Sequence, residues 1–327
     1  MTVDDAATRT VGFGVIGARS MVATRAVMPA IDASTRADLV AVSSLGGPVP
    51  EPWQHLGAGL YEDVIDHPDV EVIYVPLPNG MHVEWVERAI AADKHVLCEK
   101  PIARTADEAQ RMADSAERAG VVLAEAWMTP FDARWRRALS MARGGELGQI
   151  IDIDASFTFT IGPDGDDNYR WSPDQGGGAL LDVGIYCLGP IVELWGPHPD
   201  LVEATALWHT SGVDARTEAT LEWVDGRQAR IRCSFVDDEE QRLEIIGTES
   251  SLVLATDAHT GGMRADTMLV AHGNGRVRNV PVTPSDPYLG MVDAFAEAVL
   301  GDTPWPRPMS ATVDLLTLIE RIEQASR

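Results

Sequence analysis

A change of pattern near residue 150 constrains this 327-residue chain more than any other feature: strands alternate with helices before it, and strand follows strand after it. Val11 to Ile16, Leu39 to Ser43, Val72 to Val75, His95 to Cys98 and Val121 to Ala124 read as short strands. Between them, stretches such as Met81 to Ala92 and Thr105 to Ala119 repeat apolar residues every three or four positions, as a helix that buries one face must. Strands separated by helices pair in parallel, so the first part predicts an α/β, doubly wound parallel sheet. The long alternating run Ile151 to Ile161, and the runs without helices from Leu201 to Val280, predict an α+β part with an open, mainly antiparallel sheet. Helices are expected around Gly178 to Trp195, at Tyr288 to Leu300, and from the N-cap candidate Ser310. The chain turns from one pattern to the other near Trp127 to Phe131, which predicts domains at 10–127 and 128–327.

Fifty acidic residues against 26 basic ones leave a net charge of −24, a field that repels nucleic acid and anionic lipid surfaces. Residues Met1 to Thr10 are polar and carry Asp4 and Asp5, unlike a secretory signal, and no apolar run approaches the ~18 residues of a membrane span. Cys98, Cys187 and Cys233 are scattered without CxxC spacing, and the carboxylates show no metal-ligand spacing. A cytoplasmic protein without metal, membrane or nucleic-acid partner is expected. Lys94 and Lys100 are the only lysines. A lysine that survives such a bias toward arginine is a candidate for a role only lysine fills.

Gly12, Gly14 and Gly17 spell GxGxxG, but Gly12 and Gly14 lie inside the first strand, where they cannot meet a pyrophosphate. Counted from the strand end, the fingerprint positions hold Gly17, Arg19 and Val22. Gly17 keeps the tight turn, while Arg19 must swing away or contribute its charge. Strand 2 ends Ser43, Ser44, Leu45. Without an acid there for the ribose 2′-hydroxyl of NAD, the hydroxyls and Arg19 favour the 2′-phosphate of NADP over NAD. Gly46 to Ala58 is too short and too rich in Pro and Gly for a normal second crossover helix.

Glu99, Lys100 and Pro101 follow strand 4, at the sheet edge where doubly wound folds bind ligands. Further on, Gly176 to Tyr186 reads GGGALLDVGIY, and the spacing of four puts Asp182 and Tyr186 on one helix face.

These residues resemble the glucose-fructose oxidoreductase and inositol dehydrogenase family (Gfo/Idh/MocA). The resemblance rests on Gly17, Pro78-Asn79 with His82, Glu99-Lys100-Pro101, Glu125-Ala126-Trp127, Arg170-Trp171, the GGGALLD block, and Leu243 to Gly247 leading to Ser251-Leu252. It implies an N-terminal Rossmann domain, a C-terminal α/β domain that binds substrate and pairs into dimers, and NAD(P)-dependent oxidation or reduction of a sugar, cyclitol or related diol. It also implies a cis bond before Pro101 that would aim Lys100 at the nicotinamide. Tyr186 stands where many relatives carry histidine, which resembles the branch of xylose dehydrogenase, dihydrodiol dehydrogenase and sugar 3-ketoreductases. Arg19, Val22, the short second crossover, Asp132 and Pro190 depart from the family's pattern. Pro190 cannot donate to the carbonyl of Tyr186, so a kink is expected there.

The expected cofactor contacts are Gly17, Arg19, Ser20 and Met21, with Ser43 and Ser44 at the ribose. Pro76, Asn79, His82, Glu99, Lys100 and Pro101 complete the set, His82 as a packing residue of the cofactor loop. Tyr186 is the expected general acid/base, and since a free tyrosine titrates near ~10, the Lys100 ammonium is expected to favour its phenolate. Asp182 is expected to accept from a substrate hydroxyl, and Trp127, Arg170 and Trp171 to line the pocket. Trp85, Trp135 and Trp195 read as core or interface, and Asp237 to Glu240 as a solvated turn. Two other readings stay open: a non-catalytic dinucleotide-sensing protein on the same fold, and an internal redox elimination or glycosidic cleavage with bound cofactor.

Overall fold

The computed structural model describes residues 9–162, 168–260, 267–272 and 276–327. Residues 1–8 of the polar start, and residues 261–266 and 273–275 of the strand-rich segment, lie outside it. Strands β1 (Val11–Ile16), β2 (Ala37–Ser43), β3 (Val72–Val75), β4 (His95–Glu99) and β5 (Leu123–Ala126) form a parallel sheet in the order β2-β1-β3-β4-β5. Every residue of β1 is buried, as befits a strand covered on both faces. A Cβ on Gly12 would lie 2.0 Å from the Asp69 carbonyl oxygen, so that glycine serves the packing of the strand. Strand β5 starts two residues later than expected.

Helices α1 (Met28–Ala33), α2 (Tyr61–Ile65), α3 (His82–Ala91) and α4 (Ala106–Ala119) accompany this sheet. The second crossover holds only a 3₁₀ turn at Trp53–Leu56 and the five-residue α2, as its Pro- and Gly-rich sequence foretold. Thr105 caps α4 by accepting from the Glu108 N–H, and Gly120 ends it at a φ of 70°.

After α5 (Ala133–Arg143) comes the second sheet, built from β6 (Ile150–Thr160), β7 (Leu201–Trp208), β8 (Asp214–Glu222), β9 (Gln228–Ser234), β10 (Val236–Gly247), β11 (Ser250–Leu254), β12 (Thr267–His272) and β13 (Val277–Pro281). Its order is β13-β12-β11-β10-β6-β9-β8-β7, antiparallel except for the parallel pair β6 and β9. Asp237 to Glu240 is not a turn but part of β10 at a register shift; Asp238, Glu239 and Glu240 are solvated as expected, while Asp237 accepts from Arg216 of β8 and Arg232 of β9.

A π-helical turn at Leu180–Gly184 leads into α6 (Ile185–Trp195), which covers the inner face of the second sheet and runs unbroken through Pro190. The irregularity in this segment stands about two turns before Pro190, in that π turn. Pro173–Trp195 is long and apolar enough to cross a membrane by length and composition, yet 72% of its apolar window is buried inside the protein.

Helices α7 (Pro287–Leu300) and α8 (Met309–Ala325) pack back toward the first sheet. Phe295 meets Phe13 edge-on at 6.3 Å, and Ser34 donates to Asp293 at 2.5 Å. Helix α8 begins at Met309 behind Pro308, which leaves Ser310 within its first turn rather than at the cap. We propose 10–127 and 128–327 as the two domains, with α7 and α8 bracing one against the other.

Candidate functional site

A cavity of 690 Å³ opens at the carboxyl edge of the parallel sheet and reaches β6, α6 and α7. Another depression, of 630 Å³, lies on the outer face of the second sheet, remote from Lys100 and Tyr186.

At one end of the cavity β1 turns at Gly17, whose φ of +89° suits glycine. The Gly17 and Ala18 N–H groups donate to Ser43 O at 2.9 and 3.0 Å, tying the turn to β2. A helical turn opens at Met21 and continues through a π turn at Ala23–Val27 into α1, and its first residues, Met21 and Val22, border the cavity beside Ser20. Ser44, Pro76 and Asn79 line the same wall. A tight turn, a helix start and an acid-free end of β2 fit a phosphate-bearing dinucleotide.

Three expected contacts sit elsewhere. Ser43 is fully buried and donates to Gly59 O at 2.8 Å, because the pleat turns its side chain under the sheet edge. His82 is buried and bridges Leu77 O at 2.8 Å and Pro101 O at 2.9 Å, locking the loops after β3 and β4 together. Pro101, joined to Lys100 by a cis bond, packs inside the protein away from the cavity.

Below it, Glu125 accepts from the Ile102 N–H at 3.1 Å, Arg307 at 2.6 Å and Thr312 at 3.0 Å, which fixes the backbone that presents Lys100. Asn79 donates to Gly176 O at 2.9 Å, fastening the GGG segment against the first sheet.

The two distant motifs meet here. Lys100 Nζ donates to the carbonyl and to Oδ1 of Asp182, both at 2.8 Å, and Arg170 Nε donates to Oδ2 at 2.6 Å. Burial alone would raise the Asp182 pKa, but the two cations outweigh it and hold the carboxyl at about 2. Both of its oxygens are therefore engaged by the protein, and the residue still borders the cavity.

Lys100 Nζ stands over the Tyr186 ring, 5.0 Å from its centroid. Burial, then the negative charges of Glu99 and Asp182, push the Tyr186 pKa well above its ordinary value. The phenolate expected from Lys100 is therefore opposed in the resting site, chiefly by burial of the Tyr186 ring.

Glu99 borders the cavity, accepts from Tyr74 Oη at 2.7 Å, and is lifted to about 7, chiefly by burial. Arg170 lines the cavity, but the two tryptophans do not. Trp127 is 1% exposed and lies behind Tyr186 at 6.3 Å, whereas Trp171 stacks on His209 at 4.4 Å.

Their place is taken by Phe157, Phe159, Tyr169 and Tyr288. Phe157 and Phe159 share the inward face of β6 with Ile153 and Ala155, and Tyr169 adjoins Arg170, so these were open to detection by alternation and adjacency. Tyr288 enters from the start of α7, where Asp286 accepts from its N–H. No local signal in the sequence links it to Tyr186.

Residues 11–126 match the oxidoreductase family with an NAD-binding Rossmann fold, and residues 135–253 match the GFO/IDH/MocA C-terminal domain. The chain is 35% identical over 298 residues to D-xylose 1-dehydrogenase (NADP(+)) 2 of Haloferax volcanii, spanning 89% of this chain and 90% of that one. It is 30% identical over 338 residues to dTDP-3,4-didehydro-2,6-dideoxy-alpha-D-glucose 3-reductase of Saccharopolyspora spinosa, spanning 97% and 98%. Among solved structures, KijD10, a 3-ketoreductase from Actinomadura kijaniata in complex with NADP and TDP-benzene, superposes with a TM-score of 0.89 at 26% identity over 98% of both chains. The aldose-aldose oxidoreductase of Caulobacter crescentus complexed with glycerol gives 0.86 at 27% identity, again over 98% of both.

Proposed function

The chain belongs to the GFO/IDH/MocA family of NAD(P)-dependent oxidoreductases, and from that premise we propose that it moves a hydride between NADP(H) and a carbinol or ketone carbon of a sugar or sugar-like diol. When bound, the cofactor supplies or accepts the hydride. The chain's own task is to hold the reacting carbon near the nicotinamide and to manage one proton. Gly17, the helix start at Met21, Ser44, Pro76 and Asn79 would hold the cofactor.

Tyr186, held in its protonated form, is the donor to the substrate oxygen during reduction and its acceptor in the reverse direction. Lys100, fixed above the ring by Asp182, offsets the negative charge that tyrosine carries once its proton has left. Arg170 completes the clamp on Asp182 and borders the cavity. Phe157, Phe159, Tyr169 and Tyr288 form an aromatic wall suited to the CH faces of a sugar, while its hydroxyls meet the polar groups between them. We place a second copy of the chain against the outer face of the eight-stranded sheet.

The observation that carries this reading is the meeting of Lys100, Asp182 and Tyr186 in the cavity that begins at Gly17. Its test is NADPH consumption, and NADP⁺ reduction in the reverse direction, over a panel of aldoses, ketoses and cyclic diols. Turnover of at least one sugar or diol is expected. Tight cofactor binding without turnover of any would return the protein to the dinucleotide-sensing alternative.

A further inference from the structure

Cofactor choice in this cleft is governed at an unusual place. The loop after β2, residues 44–58, contains no lysine or arginine, and its one acid, Glu51, comes seven residues after Ser44. With Ser43 turned under the sheet, the end of β2 offers the adenosine ribose the Ser44 hydroxyl and no charge.

The charge arrives from the other side. Arg19 leaves the turn after β1 at the position of the second fingerprint glycine, crosses the gap, and donates from Nη1 to Gly46 O at 2.7 Å. Gly47 makes room for it: a Cβ there would stand 1.8 Å from Nη1, and its φ of +141° is one that side chains rarely adopt. Arg19 is exposed, borders the cavity beside Ser44 and Gly46, and has no carboxylate partner among the described residues. Of its five N–H donors this contact uses one. The guanidinium is thereby held in place and open to an anion, in a chain whose net charge of −24 would otherwise repel one.

We propose that Arg19, seated on Gly46 and Gly47, is the residue that reads the 2′-phosphate of NADP(H), with Ser44 as its partner. This rests on reading the cleft as a nicotinamide dinucleotide site, but not on the substrate or the proton chemistry.

The test is equilibrium binding, by quenching of intrinsic tryptophan fluorescence or by calorimetry, of NADPH, NADH, adenosine 2′,5′-bisphosphate and 5′-AMP. The unmodified protein is expected to favour NADPH over NADH and the bisphosphate over 5′-AMP. A hydrogen bond to a charged group is worth enough that Arg19→Ala should weaken NADPH and the bisphosphate by roughly tenfold to a hundredfold, with NADH and 5′-AMP within about twofold. Gly47→Ala, which unseats Arg19 without removing its charge, should reduce the same preference, and Ser44→Asp should invert it.

Three results would overturn the assignment: preference for NADH by the unmodified protein, an equal loss of NADPH and NADH in Arg19→Ala, or no loss of either. Equal loss would assign Arg19 to the pyrophosphate. Arg19-dependent preference in a protein that turns over no sugar or diol would support this inference while sinking the function proposed above.

Discussion

Lys100 and Asp182, 82 residues apart, are joined twice: Nζ donates to the carbonyl and to the carboxylate of Asp182, each at 2.8 Å. Both side chains are largely withdrawn from solvent, at 13% and 3% exposure, so neither charge is fully hydrated. Removing one partner of such a pair strands the other and costs about 3–5 kcal/mol. Asp182→Asn leaves both Lys100 and Arg170 without their anion, and urea denaturation should register a loss of that order. Lys100→Met should cost less, because Asp182 retains Arg170. A larger loss in Lys100→Met would reverse this ordering.

The same carboxylate sets an acid limit. Its folded pKa of about 2 lies below the unfolded value of ~3.9, so its stabilisation is fully present above that value and is lost as pH falls through 2. Asp182→Asn should therefore flatten this part of the acid stability curve. An unchanged slope would show that other carboxylates carry it.

Tyr186→Phe removes one hydroxyl from a well-packed ring and should leave folding and NADPH affinity in place. Turnover should fall roughly 10²- to 10⁴-fold, the usual worth of a general acid/base. Lys100→Arg should not restore the activity lost in Lys100→Met, because a planar fork cannot take the place of a compact ammonium. Steady-state kinetics showing the unmodified rate in Tyr186→Phe would make Tyr186 a packing residue and move the search for the proton donor to Tyr288.

Glu99, with a pKa of about 7, changes charge beside Tyr186 near neutrality. When protonated it no longer opposes the phenolate, so the kcat/KM of reduction should be higher below pH 7 and decline as pH rises through it. Glu99→Gln should carry the higher rate to alkaline pH. A decline of the same shape in that variant would assign the ionisation elsewhere.

The outer face of the second sheet is a lattice of charges in which Arg230 pairs with Asp152 and Asp154, and Arg242 with Glu244. Self-pairing of this face predicts a light-scattering mass near twice 35.3 kDa. Screening should weaken the dimer as salt rises. A single-chain mass at micromolar concentration would refute it.

Periodicity makes much of the fold legible in the sequence. The alternation of strands and helices, Gly17 at the end of β1, Lys100 at the end of β4 and the spacing of Asp182 and Tyr186 are local consequences of which side chains a helix or strand can bury. Family resemblance added that these segments belong to one reaction. Local spacing does not separate Ser43 from Ser44, yet Ser43 is buried on Gly59 O and Ser44 borders the cavity.

What the sequence by itself determined is the set of elements and the chemistry each carries to an edge. Which charges cancel was decided only by the tertiary structure. Asp182 binds Lys100 and Arg170, while burial first and then the charges of Glu99 and Asp182 oppose the phenolate expected at Tyr186, because a pKa depends on burial and on every charge within a few ångströms. Trp127 and Tyr288 exchange roles for the same reason: one is walled in behind Tyr186, and the other reaches the cavity because α7 packs across the chain from 102 residues further on. Distances set by folding carry no trace in local spacing, and the pairings that depend on them could be read only once the two sheets had been brought together.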